Sequence, residues 1–324
     1  MLHPVLCTNV LIRGVTVENP VANGDGIDLE SCKDIWLKDC VLRCKDDGIV
    51  LKSGRNADGR RINVPCENVV VQDCRILGVS GSEGRPRNGI AVGSEISGGA
   101  RNFFVENCEI ANRLRGISLK SNSLRGGFLE NLCFRNLTFK DIAEPVLNVD
   151  LNYSSERGPF YPVIRNVELA GSTGDGIGCL FEVDRPVEAP VSNVLVRDCV
   201  FTNVQSEQDR LKNPVGLRLV KTTVNGKHHR IGLAAQASQK SEAATEETSE
   251  CTGPAASSQS DGEITVADVP QAVGETIRRE FGDTQVDIGK KMRDGRVVYE
   301  VDGRIDGKKV EINIYEDGSI RSRK

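Results

Sequence analysis

Across 324 residues the chain carries 33 Gly and 11 Cys but only 9 Phe, 4 Tyr, 1 Trp and 3 His, a length suited to one large domain or a large and a small one. A formal net charge of −4 lacks the basic excess of nucleic-acid binders, and no apolar run reaches the roughly 18 residues of a membrane helix. Neither kind of partner is expected, and residues 1–20 do not have the layout of a signal peptide.

From the N-terminus a short pattern recurs with a period near 30 residues. Trp36-Leu37-Lys38-Asp39-Cys40, Val70-Val71-Gln72-Asp73-Cys74, Phe104-Val105-Glu106-Asn107-Cys108 and Leu195-Val196-Arg197-Asp198-Cys199 are copies of one strand and turn. With the residue before Cys as anchor, the turn column reads Gly14, Asp39, Asp73, Asn107, Asn136, Asn166 and Asp198. Five residues earlier stands a second column of Asn9, Asp34, Asn68, Asn102, Asn131 and Asn193. A further strand follows each turn, at Gly26-Ile27, Gly48-Ile49, Gly89-Ile90, Gly116-Ile117 and Pro145-Val146, with weaker copies at Gly176-Ile177 and Pro214-Val215.

Such short strands at a fixed period are stacked coils, each too thin to bury a core alone. Helical repeats would need longer stretches with 3.6 periodicity, and leucine-rich repeats their regular leucines; neither is present. The expected fold is all-β, a parallel β-helix of about seven coils over residues 1–225. In it the Cys column packs inside and the Asn column hydrogen-bonds from coil to coil. The Cys do not come in close CxxC pairs, so they are not metal ligands, and an odd number excludes complete disulfide pairing.

Residues 226–261, rich in Ala, Ser, Glu, Thr and Gln, read as a flexible linker containing Cys251. A small α+β domain is expected over residues 262–324. Asp268 is its expected N-cap, with Gln271 three residues on, and Val269, Val273, Ile277 and Phe281 fall on one helical face. Asp294-Gly295, Asp306-Gly307 and Asp317-Gly318 then separate alternating apolar runs, a hairpin signal. This tail resembles a PepSY-like domain, a module of secreted and envelope proteins, and shows no active-site motif.

With the three histidines, His3, His228 and His229, outside the repeats, catalysis is expected to rest on carboxylates, without metal or cofactor. Residues two places before the first apolar residue of each second strand stack as Asp25, Asp47, Asn88, Arg115, Glu144, Asp175 and Asn213. Neighbouring coils lie about 4.8 Å apart, so Asp25, Asp47 and the adjacent Asp46 converge. Like charges so close raise at least one pKa, the arrangement that an acid and a base in glycoside hydrolysis need. Solvated turn aspartates would give the same spacing. From spacing alone both readings stand.

Asn23-Gly24-Asp25-Gly26-Ile27-Asp28, followed 21 residues after Asp25 by Asp46-Asp47, resembles glycoside hydrolase family 28, the polygalacturonases and their relatives. Val92-Gly93-Ser94-Glu95-Ile96-Ser97-Gly98-Gly99 and Arg125-Gly126-Gly127 are similar to bacterial members. The resemblance covers roughly residues 3–220. It implies a right-handed β-helix, a pectic or other acidic polysaccharide as substrate, and inverting hydrolysis outside the cytoplasm, extracellular or periplasmic. It also implies Asp46 as general acid, with Asp25 and Asp47 holding and deprotonating the attacking water. Asn23, Arg87, Arg115 and Lys120 are the expected substrate-binding residues.

Against that pattern, Arg87 in Pro86-Arg87-Asn88 stands where the family has the histidine of Gly-His-Gly, and Ser118-Leu119-Lys120 replaces its Arg-Ile-Lys. The chain begins about one coil before Asp25, which reads as an N-terminal truncation relative to the family. A guanidinium in the column of Asp46 lowers the pKa of that acid, so weak or lost activity on homogalacturonan is expected unless Arg87 binds substrate. Residues 45–125 hold 13 Lys or Arg against 9 Asp or Glu, a lean toward an acidic ligand. A carbohydrate-binding pseudoenzyme is the alternative, and a calcium-dependent polysaccharide lyase a more distant one.

Overall fold

A computed structural model describes residues 1–79, 85–213, 216–231, 269–282, 284, 286–293, 296–305, 308–315 and 319–323. It divides into two units, residues 1–253 and 254–324. Cys251, Asp268, the linker from residue 232 on and the three Asp-Gly pairs lie outside the described residues.

The first unit is a right-handed parallel β-helix. Turning the chain sharply in every coil takes residues that accept positive φ, and Asn, Asp and Gly do so at least cost. Asp39, Asp73, Asn107, Asn136 and Asp198 have φ between 52° and 55°. Eight parallel strands stack from Thr8–Arg13 to Leu217–Val220, one more than expected, and a second sheet of 14 strands closes the coil.

Two columns hold the coils together. Asn68, Asn102, Asn131, Asn166 and Asn193 each donate from Nδ2 to Oδ1 of the preceding coil's Asp34, Asn68, Asn102, Asn131 and Asn166, at 2.8 to 3.0 Å. Asn166 therefore belongs to this ladder and not to the turn column, where Gly171 at φ 58° takes its place. Inside the corner, Cys40, Cys74, Cys108 and Cys199 donate to the carbonyl two residues back at 3.1 to 3.2 Å. Ser172 and Thr222 make the same bond in other coils. Burial pushes the thiols of Cys40 and Cys199 up, the latter to about 11, as expected of packed interior groups.

Ile27, Ile49, Ile90, Ile117, Leu147 and Phe181 face one another along the second sheet and form part of the apolar core. The α-helix Asn56–Ile62 interrupts the coils, a feature without an apolar period to announce it. At the far end Lys227–His228 pairs antiparallel with Thr223–Val224, and His229 packs at 2.8 Å against Asp209, so residues 227–229 are part of the β-helix unit.

The second unit packs the helix Gln271–Phe281 on an antiparallel sheet of Asp287–Arg293, Arg296–Ile305, Lys308–Tyr315 and Ile320–Arg323. Val269, Val273, Ile277 and Phe281 bury against Val301, Ile312 and Ile314. Pro270 occupies the N-cap position without a side-chain cap bond; the expected capping box of Asp268 and Gln271 lies outside the described side chains.

Candidate active site

Ile27–Glu30 and Ile49–Lys52 pair in parallel with Ile27 opposite Ile49, and the backbone N–H of Gly26 donates to the Asp47 carbonyl at 2.9 Å. Asp25 thus stands directly over Asp47. A Cβ on Gly26 would lie 2.5 Å from the Gly48 carbonyl oxygen, and one on Gly48 2.3 Å from that of Gly89. Glycine after each column residue is what lets the coils close here.

Every oxygen of the Asp25 and Asp47 carboxylates has a donor. The Asp47 N–H donates to Asp25 Oδ1 at 3.2 Å, and Lys52 Nζ lies 3.3 Å from Asp25 Oδ2. Asn88 donates from N and Nδ2 to Asp47 Oδ1 at 3.2 and 2.6 Å, and Lys120 Nζ is 2.6 Å from Asp47 Oδ2. Burial alone would raise the Asp47 pKa, but the Lys120 charge and the Lys120 and Asn88 hydrogen bonds outweigh it, and the carboxyl falls below its usual range. Lys120 is buried too, yet Asp47 holds its pKa up.

Asp46 behaves oppositely. Burial, then the charges of Asp47 and Asp25, raise its pKa, and the opposing pull of Lys120 and Arg87 is smaller. The expected depression of this acid by Arg87 is therefore overcome. Arg87 does sit by Asp46, with its N–H donating to the Lys45 carbonyl at 3.2 Å, but its side chain is exposed and solvent-screened.

The other expected residues divide. Asn23, at φ 54°, is exposed on the turn before Asp25. Arg115 follows Asn88 in register, but its Nη2 closes at 2.5 Å on Glu144. Glu144 is not in the column itself, because Leu147 and not Val146 stands opposite Ile117. Asp175 also leaves the column; it pairs in register with Lys140 and is bonded by Thr202 and Asn203 on another face.

Three groups were missed in the sequence reading. Arg113 is fully buried, donating from Nη1 to the carbonyls of Cys44 at 2.6 Å and Leu77 at 3.2 Å, and from Nη2 to those of Asn88 at 2.7 Å and Asp46. It occupies the interior column of Ile142, Ile177 and Val204, so a charge at an apolar register position was the available signal. Asp28, 1% exposed, accepts from Lys52 Nζ at 2.6 Å, and burial pushes its carboxyl up to about 6. Tyr153 places its ring 5.5 Å from Lys120 Nζ and 5.4 Å from the Arg125 guanidinium. Of the Arg125-Gly126-Gly127 motif, Gly127 is needed because a Cβ there would meet the Ile96 carbonyl oxygen at 1.9 Å.

A family model described as glycosyl hydrolases family 28 matches residues 3–178, which include all three aspartates. The chain belongs to glycosyl hydrolases family 28. Among similar proteins, a probable polygalacturonase of Vitis vinifera is 27% identical over 202 residues, 60% of this chain and 40% of the relative. An endo-polygalacturonase of Pectobacterium carotovorum subsp. carotovorum is 23% identical over 185 residues, 55% of this chain and 42% of the relative. The crystal structure of a hyperthermoactive exopolygalacturonase from Thermotoga maritima is similar at 34% identity and a TM-score of 0.65, over 70% of this chain and 49% of that one. The chain thus spans half or less of the length of these proteins.

Proposed function

We propose that this chain is a polygalacturonase-type glycosidase that hydrolyses glycosidic bonds in pectic or related acidic polysaccharide with inversion. The observation that carries the reading is the split between neighbours, Asp46 driven toward its protonated form and Asp47 toward its ionised form. Two carboxyl groups pushed apart in this way are suited to acid and base roles. Asp46 protonates the departing glycosidic oxygen. Asp47, 6% exposed and with both oxygens occupied, orients the water, and the more open Asp25, at 14%, takes its proton. Lys120 and Asn88 keep Asp47 anionic; of the expected substrate-binding residues, Asn23 and Arg87 are exposed, while Arg115 and Lys120 would have to leave their ion pairs to hold substrate.

Adjacent coils are spaced by only about 4.8 Å, less than the ~6.5–9.5 Å of usual inverting pairs, so product stereochemistry is a demanding test. Digests of pectic polymers by the full chain, followed by NMR at the anomeric carbon, should show new reducing ends of inverted configuration. Asp46→Asn should abolish them. Retention of configuration would reject the mechanism, and absence of products from any pectic polymer would reject the hydrolase. In that last case saturable glycan binding would select the pseudoenzyme reading, which the internal pairing of Arg115 and Lys120 favours.

A polymeric substrate of this class implies action outside the cytoplasm; among the described residues no helix is long and apolar enough to cross a membrane. We read the second unit as a PepSY-like interaction module. Its removal, by deleting residues 262–324, should alter activity if it regulates the first.

A further inference from the structure

The charge pairing along the cleft strands bears on which pectic polymer is taken, an inference that rests on the hydrolase reading above. A polyuronate carries a carboxylate on every sugar, and holding successive carboxylates takes a row of cations with free donors. The strands that follow the aspartates do not offer one. Lys120 closes on Asp47 at 2.6 Å and is 11% exposed, and Arg115 closes on Glu144 at 2.5 Å. Farther along, Arg210 lies 3.0 Å from Glu182 and Lys212 3.1 Å from Asp184. Recruiting any of these for substrate means breaking an existing ion pair and leaving a protein carboxylate uncompensated.

Lys52 is likewise closed on Asp28 at 2.6 Å, and Ser118 and Asp150 are neutral and acidic. The Ser118 hydroxyl is buried and accepts from Asn148 Nδ2 at 2.9 Å. Asp150, in register with Lys120 one strand on, accepts the Asn152 N–H at 3.1 Å and makes no ion pair among the described residues. Burial and the charge of Asp184 already raise the Asp150 pKa, so a sugar carboxylate arriving there enters a half-buried, acidic position, which selects against a fully ionised chain. Arg87 is the exception. It is exposed, its backbone N–H donates at 3.2 Å to the carbonyl of Lys45, the residue before Asp46, and its side chain makes no hydrogen bond or ion pair among the described residues.

We propose that the cleft selects a pectic chain of low charge density: Arg87 holds one carboxylate beside Asp46, and the positions toward Asp150 take neutral or methyl-esterified sugars.

The test compares kcat/KM of the full chain on three polymers at one ionic strength. They are de-esterified polygalacturonate, the same polymer highly methyl-esterified, and a polymer in which galacturonate alternates with a neutral sugar. At least one low-charge polymer should exceed polygalacturonate by roughly tenfold, the scale of one charge-assisted contact. Asp150→Asn should narrow that gap about threefold by raising polygalacturonate turnover, the size of a partly screened charge contact. Arg87→Gln should lower kcat/KM on the alternating polymer roughly tenfold, mainly through KM. Polygalacturonate cleaved as well as or better than both others would overturn the inference and leave the hydrolase reading standing. So would an Arg87→Gln loss that is equal on all polymers, while no cleavage of any of them would remove both.

Discussion

The corner with the Asn ladder and the corner with the aspartates are built on the same stacked backbone and do different things with it. In the ladder the same side-chain bond repeats from Asp34 through Asn193, so Asn102, Asn131 and Asn166 each have an amide partner above and below. At the other corner the repeat breaks: Asp25, Asp47, Asn88 and Arg115 succeed one another, and each polar group finds a different partner. Uniform columns lower the energy of stacking, whereas a column of unlike charges creates fields that push neighbouring pKa values apart. Function in a solenoid is therefore to be sought where the period fails.

The largest effect that would break this contrast is at Asp46. Asp46→Asn should cut kcat by roughly 10²–10⁴, the contribution of a general acid. It should not lower the unfolding free energy, because the charge it removes is one that burial and two neighbouring aspartates disfavour. A parallel loss of stability would mean that Asp46 is a structural turn residue like those of the ladder.

Arg113 joins the two corners' logics, being a buried structural group that shapes the reactive turn. Arg113→Met should cost about 3 kcal/mol in denaturant unfolding, since it leaves buried carbonyls without a donor. It should also reduce kcat about tenfold by loosening the Asp46-Asp47 backbone. Stability lost with kcat intact would show that the turn is held by its coil bonds alone.

Much of this division was legible in the sequence, and for a physical reason. A coil that turns through αL positions needs Asn, Asp or Gly at a fixed period, so the β-helix and its ladder show directly. The small domain's helix face and alternating strands were equally visible, whereas its cap was not. The columns blur where coil length varies and the marker is lost: Asn166 is 35 residues from Asn131 but 27 from Asn193, and no Cys follows Gly171 to mark the turn of its coil. Glu144 falls outside the column for a related reason, since Leu147 and not Val146 stands opposite Ile117. Arg113 and the Asp28–Lys52 pair were hidden because their partners lie 69 and 24 residues away, visible only once the coils are in register.

A smaller effect sharpens the ladder side. Asn102→Ala removes amide bonds to Asn68 and Asn131 and places Ala at φ 56°. Unfolding should become easier by ~1–2 kcal/mol, with kcat/KM unchanged. Loss of activity at unchanged stability would show that the two corners are coupled.

The smallest effect separates the opposing influences on Asp46, and it is read in the pH dependence of kcat/KM. The general acid must be protonated, so activity is lost as pH rises through the raised Asp46 pKa. The groups serving as anions must be ionised, so activity is also lost as pH falls through the lowered Asp47 pKa. Arg87 stabilises the Asp46 anion and thereby opposes the two aspartates. Removing that charge in Arg87→Gln should move the alkaline limb upward and leave the acid limb, governed at Asp47 by Lys120 and Asn88, where it was. A downward move would mean that Asp46 is not the acid. Movement of both limbs would mean that Arg87 acts on the whole carboxylate cluster, and the division of roles between Asp46 and Asp47 would then fail with it.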